Sequence, residues 1–253
     1  VVHFGLIRTI LNFKVKLENL IIYVDNLKML VDKKFNLLKP IKTPKLLRLG
    51  RKCDGGYIVN FDIIKKCNTL ISFGMGSDWS FELDYIKRNS NSSIHIYDYT
   101  VSASSYIKEI FKYFRRFITL RESYSAFAER IKYFYNYKKF LDLSNVNFYR
   151  EKITDKIQGK ADSDIKKVFQ RIEKKEIILK CDIEGAEYKM IDQILEYKDQ
   201  IQMFIVEFHW IDKNEKIFLE SIKKIKNYFQ IIHIHGNNHY SKSIAGLPAI
   251  LEI

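Results

Sequence analysis

The sequence predicts an α/β fold with a largely parallel sheet. Short apolar runs alternate with helical stretches along its 253 residues, which is the pattern of strands joined by crossover helices. The apolar run Leu70 to Phe73 leads into Gly74 and Gly76, and Asp78 to Glu82 could open a helix. A strand, a Gly-x-Gly turn and a helix form the first half of a nucleotide-binding βαβ unit.

The composition indicates one sizeable domain from a reducing compartment. A chain of this length that is 47% hydrophobic can bury a stable core without disulfides or a structural metal. Its three cysteines, Cys53, Cys67 and Cys181, lie far apart without a CxxC pair, which argues against a disulfide framework and against a cysteine zinc site. No apolar run approaches the ~18 residues of a membrane span, so we expect a cytoplasmic protein without one.

The net charge of +13 favours anionic partners. Phosphorylated metabolites, nucleotide sugars, RNA and an acidic membrane face all fit this charge. Because lysine is abundant throughout the chain, an ordinary solvated surface explains much of the charge equally well.

Two helical regions flank or interrupt the predicted sheet domain. Apolar residues recur at helical spacing from residue 1 to about 45, ending at Pro40 and Pro44; this N-terminal helical appendage could pack or form a homodimer. Residues 46–253 form the remaining domain. Within it, residues 104–143 read as an aromatic and basic helical insertion, which we interpret as a lid that packs its own core.

Polar residues end several apolar runs, where parallel sheets bind ligands. Asp98 stands 22 positions after Gly76, close to the ~20 expected of a carboxylate that binds a ribose hydroxyl. Asp182, Glu207 and His209 also end apolar runs. For each carboxylate alone, capping a helix or pairing with a lysine is an equal alternative.

The glycine turn does not match a dinucleotide or a P-loop motif. It has no Gly-Lys-Ser/Thr ending, and Trp79 stands where the dinucleotide fingerprint has its third glycine. A smaller adenosine ligand such as S-adenosylmethionine fits better, since it needs a close backbone turn and a ribose carboxylate but no pyrophosphate site.

Five segments together resemble the FkbM-like family of S-adenosylmethionine-dependent methyltransferases: "RLGRKCDGGYIV", "ISFGMGSDWSFE", "ILKCDIEGAEY", "IVEFHWID" and "HIHGNN". Members often O-methylate sugars or other components of surface glycans and natural products. The similarity runs from Arg48 to the C-terminus, apart from the helical insertion. It implies a Rossmann-like class I methyltransferase fold, whose seven-stranded, mostly parallel sheet has an antiparallel last strand.

The resemblance also implies which residues bind the cofactor. Asp98 would hold the ribose, and the turn would contact the methionine part. The loop from Asp54 to Tyr57 would lie beside the cofactor. The implied cofactor-binding residues are Asp54, Gly55, Gly56, Tyr57, Phe73, Gly74, Met75, Gly76 and Asp98.

The acceptor is predicted to be a small molecule that is methylated on an oxygen atom. The chain lacks the Asn/Asp-Pro-Pro-aromatic motif of amino-methylating nucleic-acid enzymes, and it lacks a Pro-Cys pair. These absences argue against a nucleic-acid acceptor, and "DIEGAE", "EFH" and "HIHGNN" place carboxylate, imidazole and amide groups where they could orient a hydroxyl or phosphate oxygen. Together with the resemblance, which implies O-methylation of glycan components, this leads us to expect a sugar, phosphorylated or nucleotide-linked precursor of capsule polysaccharide as the acceptor. An RNA methyltransferase and a non-catalytic nucleotide-binding module remain as alternatives. The candidate catalytic residues are Asp182, Glu184, Glu207, His209, His235 and Asn237.

Among these, His209 is the predicted base for a sugar hydroxyl, because an imidazole of ordinary pKa, about 6.5, suits that role near neutral pH. We expect the side chains of Glu207 and His209 to point to opposite faces, and Glu187 to be structural at a helix start. A divalent metal held by Asp182, His209 and His235 is an alternative, but the spacing does not favour it and no metal ligand is assigned.

Overall fold

The computed structural model describes residues 33–52, 55–172, 174–236 and 248–253. The chain divides into two compact units, Val1–Lys39 and Pro40–Ile253. In the first unit Lys33–Leu38 forms a 3-10 helix, while residues 1–32 of the predicted N-terminal appendage lie outside the described residues. Residues 39–45 are not helical, as expected where Pro40 and Pro44 interrupt the backbone hydrogen bonding of a helix.

Strands and helices alternate through most of the second unit, as the sequence predicts. The described strands are β1 Leu46–Leu49, β2 Tyr57–Asn60, β3 Thr69–Phe73, β4 Ser93–Tyr97, β5 Val146–Tyr149, β6 Lys152–Ile153, β7 Asp162–Ser163, β8 Ile177–Cys181, β9 Ile201–Phe208, β10 His235–Gly236 and β11 Leu251–Glu252. The described α-helices are α1 Phe61–Lys66, α2 Ser80–Arg88, α3 Ala103–Ile118, α4 Tyr124–Leu141, α5 Ile165–Gln170, α6 Glu187–Leu195 and α7 Ile211–Lys226.

A seven-stranded sheet organises the second unit, in the order β10-β11-β9-β8-β3-β4-β5. The strands from β9 to β5 pair in parallel, and β11 is antiparallel to both of its neighbours. The prediction of an α/β fold with a mostly parallel sheet and an antiparallel last strand is confirmed. Two small sheets accompany it, an antiparallel β1-β2 pair and a parallel β6-β7 pair.

The order of the strands creates a switch point between β3 and β8. From β3 the chain adds β4 and then β5 on one side, and it returns to add β8 and then β9 on the other side. Every residue of β3 and of β8 is buried, as expected for central strands covered on both faces. In open α/β sheets, ligands bind outside the carboxyl ends of the strands at such a switch point.

The predicted helical insertion is a hairpin of α3 and α4. Ser102 caps α3 through a capping box, and the two helices meet through aromatic side chains. The ring centroids of Tyr106 and Tyr137 lie 4.6 Å apart, and those of Phe117 and Phe127 lie 6.1 Å apart. Contacts between the start of one helix and the end of the other make the pair antiparallel. The buried residues of the hairpin, Tyr106, Tyr137 and Phe140, belong to the core of the sheet domain and not to a separate core, and its role as a lid stays a prediction.

Two apolar segments that the sequence pattern predicts to be single strands differ in the structure. The segment "NVNFYREKI" is divided into β5 and β6, which pair with different partners. The segment "FQIIHIHG" is a strand only at His235–Gly236, and outside that strand the Ile231 carbonyl accepts a hydrogen bond from the Ile41 amide at 2.8 Å. None of the helices in the described part of the chain has the length and apolarity needed to cross a lipid bilayer.

Candidate functional site

The carboxyl ends of β3 and β8 approach each other at the glycine turn, Gly74 to Gly76. Gly74 has a φ of +76°, and a Cβ added there would lie 1.6 Å from the carbonyl oxygen of Asp182. Only glycine allows this backbone conformation and this contact together. Gly76 also has a positive φ of +58°, but an added Cβ would meet nothing within 4 Å. Sterics therefore fix the first glycine, and backbone conformation alone favours the second.

Asp98, which follows β4, holds this turn through backbone amides. Its Oδ2 accepts hydrogen bonds from the amides of Met75 (3.0 Å) and Gly76 (2.7 Å). Its Oδ1 accepts from the amide and the hydroxyl of Thr100, at 2.7 and 2.6 Å. Because a carboxylate has about four acceptor positions, a ribose hydroxyl could bind Asp98 only by sharing or replacing one of these hydrogen bonds.

The loop between β1 and β2 lies against the residues that follow the glycine turn. Arg51 Nε pairs with Asp78 Oδ2 at 3.0 Å, and a Cβ added to Gly55 would lie 2.6 Å from the same oxygen. A Cβ added to Gly56 would lie 1.9 Å from the Arg51 carbonyl oxygen. The predicted position of Gly55 and Gly56 beside the turn therefore agrees with the fold, while Asp54 lies outside the described residues.

Tyr57, the first residue of β2, binds two carboxylates. Its hydroxyl lies 2.9 Å from Asp182 Oδ2 and 3.0 Å from Glu207 Oε2. Burial, followed by the charges of Asp182 and Glu207, raises the pKa of Tyr57 well above its usual value, so the hydroxyl stays protonated. It has a single proton, and it can donate to only one of the two carboxylates at a time.

Four carboxylates surround one imidazole at the ends of β8 and β9, and we call this group the carboxylate cluster. His209 follows β9 and is only 2% exposed. The oxygens closest to its Nε2 are 3.6 to 3.7 Å away, and its Nδ1 lies 3.2 Å from a fourth carboxylate. The members are Asp182, Glu184 and Glu207, which face Nε2, and Glu187, which faces Nδ1.

Glu187 fixes the orientation of His209. It is the first residue of α6 and is fully buried. Its Oε1 accepts from the His209 amide (2.6 Å) and lies 3.2 Å from Nδ1, while Oε2 accepts from the Gly185 amide at 2.8 Å. The prediction that Glu187 is a structural residue at a helix start agrees with the Gly185 contact, but the same carboxylate also orients the imidazole.

The charge of the cluster changes the role that His209 can take. Burial acts to lower the pKa of His209, but the hydrogen bond and charge of Glu187 and the charges of Asp182 and Glu207 outweigh burial and raise it to about 9. An imidazole with this pKa is protonated at neutral pH and cannot accept a proton. The predicted role of His209 as a base, which was argued from an ordinary pKa, stays a prediction.

A buried lysine links the glycine turn to β8. Lys180 is 3% exposed; its Nζ donates to the Gly74 carbonyl oxygen at 2.7 Å and lies 3.6 Å from Glu82 Oε1. Burial lowers the pKa of Lys180, but the charges of Glu82, Asp182 and Glu207 raise it overall, so the lysine stays charged. Lys180 was not among the predicted site residues, although a lysine inside the apolar run "EIILKC" could have indicated a buried charge.

The expectation that Glu207 and His209 point to opposite faces is wrong. Glu207 Oε1 lies 3.6 Å from His209 Nε2. Residues two apart on a strand share a face, and Phe208 between them points the other way, where its ring lies 5.2 Å from that of Phe218. Directly after His209, Trp210 adopts a left-handed conformation with a φ of 55° and is the N-cap residue of α7.

The other predicted catalytic residues lie apart from the cluster or outside the described residues. His235 is in register with Glu252, which is in turn in register with Glu207. With neighbouring strands about 4.8 Å apart, β11 separates His235 from β9, and the predicted metal set of Asp182, His209 and His235 is not assembled. Asn237 lies outside the described residues.

No protein-family model matches the sequence, and no curated protein matches it. Function is therefore inferred from the geometry of the site and from the motifs themselves.

Proposed function

We propose that the chain is an S-adenosylmethionine-dependent O-methyltransferase. The observation that carries the proposal is the glycine turn at the switch point of the sheet, which is held by the carboxylate of Asp98 and lies beside the carboxylate cluster at the ends of β8 and β9. Cofactors of open α/β sheets bind at this position, and the resemblance of the motifs to FkbM-like methyltransferases supports the same cofactor.

The acceptor in this proposal is a small molecule, a sugar or a phosphorylated or nucleotide-linked precursor in capsule polysaccharide biosynthesis. A net charge of +13 favours an anionic acceptor. Cys67 and Cys181 are free, buried thiols, which supports a reaction in the reducing cytoplasm.

Methyl transfer would be a direct displacement. The bond between the acceptor oxygen and the methyl carbon forms while the bond from that carbon to the sulfonium sulfur breaks, and the sulfur keeps the electron pair. Alignment of the two reactants is worth up to about 7 to 11 kcal/mol in well-oriented cases. A sugar hydroxyl must also lose its proton, and in this proposal Glu184, whose side chain is 80% exposed beside His209, accepts it. A phosphate oxygen needs no base.

The cofactor proposal is tested by replacing Asp98. Asp98→Ala removes the acceptor of the Met75 and Gly76 amides and the proposed ribose contact, so we expect binding of S-adenosylmethionine to weaken by about 1 to 3 kcal/mol, measured by titration calorimetry. Asp192→Ala is the control, because Asp192 forms an exposed ion pair with Lys224 on α7. Equal cofactor affinity in wild type and Asp98→Ala would falsify the assignment.

The acceptor class is tested with radiolabelled methyl transfer to three pools: extracted glycans, phosphorylated metabolites and RNA. Transfer to a glycan or a metabolite supports the proposal. Transfer to RNA, with an affinity that falls steeply as salt is raised, would identify the enzyme as an RNA methyltransferase. If the cofactor binds but no pool is labelled, the chain is a non-catalytic nucleotide-binding module.

A further inference from the structure

We infer that Asp182, Glu207 and His209 form a binding site for one divalent cation. One ligand atom from each residue lies within 4.8 Å of the other two. Metal–ligand distances of about 2.1 Å place neighbouring ligand atoms about 3.0 to 3.4 Å apart and opposite ones about 4.2 Å apart. The separations from His209 Nε2 to Asp182 Oδ1 (3.7 Å) and to Glu207 Oε1 (3.6 Å) fall within this span.

In both Asp182 and Glu207, the two carboxylate oxygens face different partners. Oδ2 of Asp182 and Oε2 of Glu207 face the Tyr57 hydroxyl, whereas Oδ1 and Oε1 face His209. The Tyr57 hydroxyl donates its one proton to either carboxylate in turn, and in both carboxylates the other oxygen faces the imidazole. A supporting hydrogen bond to a ligand's outer atom is the arrangement that orients ligands around protein-bound metals.

The imidazole is prepared in the same way. Glu187 lies at hydrogen-bond distance from His209 Nδ1, so a proton on Nδ1 would stay there while a bound ion displaces the proton of Nε2 and takes up its lone pair, which is directed at Asp182 and Glu207. His209 is 2% exposed, and within the described residues its Nε2 makes no hydrogen bond. Metal-binding histidines usually donate their second ring N–H to a carboxylate in this manner.

The balance of charge points to a cation as well. Four carboxylates lie within 3.7 Å of a single imidazole, and that imidazole can carry at most one positive charge. The neighbouring Lys180 is engaged by Glu82 and by the glycine turn. Buried charges need compensation by a partner or a metal, and a divalent ion at Nε2 would supply it.

The set of ligands indicates the kind of ion. Two carboxylate oxygens and one imidazole suit a first-row divalent ion such as Mn²⁺. The side chain of Asp182 is 27% exposed and that of Glu184 is 80% exposed, so the site opens outward and three protein ligands would leave positions for another molecule. This is typical of catalytic rather than structural metal sites.

The role of the ion rests on the proposed function, whereas its binding does not. In methyl transfer, an acceptor hydroxyl bound at an open position would lose its proton more readily. That proton would pass to Glu184, which remains outside the ligand set, while the oxygen forms its bond to the methyl carbon. The ion would act as a Lewis acid and would not change oxidation state.

The test is a Mn²⁺ titration of the full chain after EDTA treatment and dialysis, without S-adenosylmethionine, with free Mn²⁺ counted by electron paramagnetic resonance. We expect one Mn²⁺ per wild-type chain. Glu207→Gln and Asp182→Asn should weaken binding at least about tenfold, and Tyr57→Phe, which keeps all three ligands, should weaken it about 10- to 100-fold. Asp192→Asn should bind as the wild type does.

Three results would overturn the site. The first is that the wild type binds none of Mn²⁺, Mg²⁺ and Zn²⁺. The second is that every folded site variant binds the ion as the wild type does, and the third is that Asp192→Asn weakens ion binding as much as the site variants do. Thermal unfolding identifies variants that fail to fold, and the mild Tyr57→Phe change keeps the test decisive if the others do. Calorimetry with S-adenosylmethionine on the metal-free chain separates the two proposals, since bound cofactor without Mn²⁺ binding rejects only the metal site.

Discussion

Gly74 shows at the level of one residue how the fold and the site depend on each other. Its amide donates to the Tyr97 carbonyl at the end of β4 (3.1 Å), its own carbonyl accepts from Lys180, and its missing side chain admits the Asp182 carbonyl. Three strands therefore converge on one residue. A change there should act first on stability and only then on ligand binding.

We predict very different costs for the same substitution at the two glycines of the turn. Gly74→Ala places a Cβ 1.6 Å from the Asp182 carbonyl oxygen, so it should lower the free energy of unfolding by about 4 kcal/mol or more, which is exceptional for one substitution. Gly76→Ala meets no atom and should cost only the strain of a left-handed residue, about 1 to 2 kcal/mol. Urea unfolding measures both, and equal costs would contradict the close approach of β3 and β8.

The sequence could predict single site residues but not their partners. Asp98, Asp182 and Glu207 were found because polar residues end apolar runs, and that rule follows from the architecture. The hydrogen bonds of Tyr57 to Asp182 and Glu207 join residues 125 and 150 positions apart, and no local pattern encodes such a pair. The spacing of Glu207 and His209 was sufficient to predict that their side chains lie on the same face, because residues two apart on a strand share a face.

At the level of elements, one carboxylate joins three segments at the edge of the sheet. Glu151 lies between β5 and β6, and Arg171 after α5 donates to both of its oxygens, at 2.8 and 2.9 Å. Ser163 of β7 also donates to it. The guanidinium of Arg171 lies 4.7 Å from the centre of the Tyr149 ring, which holds α5 against β5.

This junction predicts a dependence of stability on pH. The hydrogen bond from Arg171, then that from Ser163, lowers the pKa of Glu151 below its ordinary value of 4.5, although burial opposes the shift. A depressed carboxylate pKa stabilises the folded state above pH 4.5, and this contribution is lost as pH falls through the folded pKa. The stability advantage of the wild type over Glu151→Gln should therefore be full near pH 6 and decline below pH 4.5.

Thermal unfolding of both proteins at several pH values checks this expectation. Asp192→Asn serves as the control, because its exposed pair with Lys224 should contribute little at any pH. A difference between wild type and Glu151→Gln that stays constant from pH 6 down to pH 3 would contradict it.

At the level of the whole molecule, the sheet could be predicted because its strands are short, apolar and punctuated by glycine or by polar residues. "DIEGAE" was expected to follow a strand and open a helix, and it joins β8 to α6. The last strands were harder to predict from the sequence, because β10 and β11 are only two residues long. β11 is defined by its pairing with β9, and β10 by its pairing with β11; residue patterns do not contain such tertiary contacts.

The distribution of charge gives the last prediction. The chain carries a net charge of +13, and exposed ion pairs such as Lys45–Asp62 and Lys66–Glu176 are worth only about 0 to 1 kcal/mol each. Repulsion over longer distances should therefore outweigh attraction between pairs. Raising NaCl from about 0.01 to about 0.1 M shortens the Debye length from about 30 to about 10 Å, so we expect the melting temperature of the wild type to rise.

The exposed helix α3 provides a variant that isolates this repulsion. Lys112 has Lys108 and Arg116 four residues to either side, and each such pair of like charges destabilises a helix by about 0.2 to 0.5 kcal/mol. Lys112→Gln should consequently be at least as stable as the wild type in low salt and gain less from added NaCl. Lys224→Gln, which breaks the ion pair with Asp192, should show no such gain in low salt. Calorimetric melting at both salt concentrations decides the matter: a wild-type melting temperature that falls with NaCl would mean that ion pairs, and not the surplus of positive charge, control the stability of this protein.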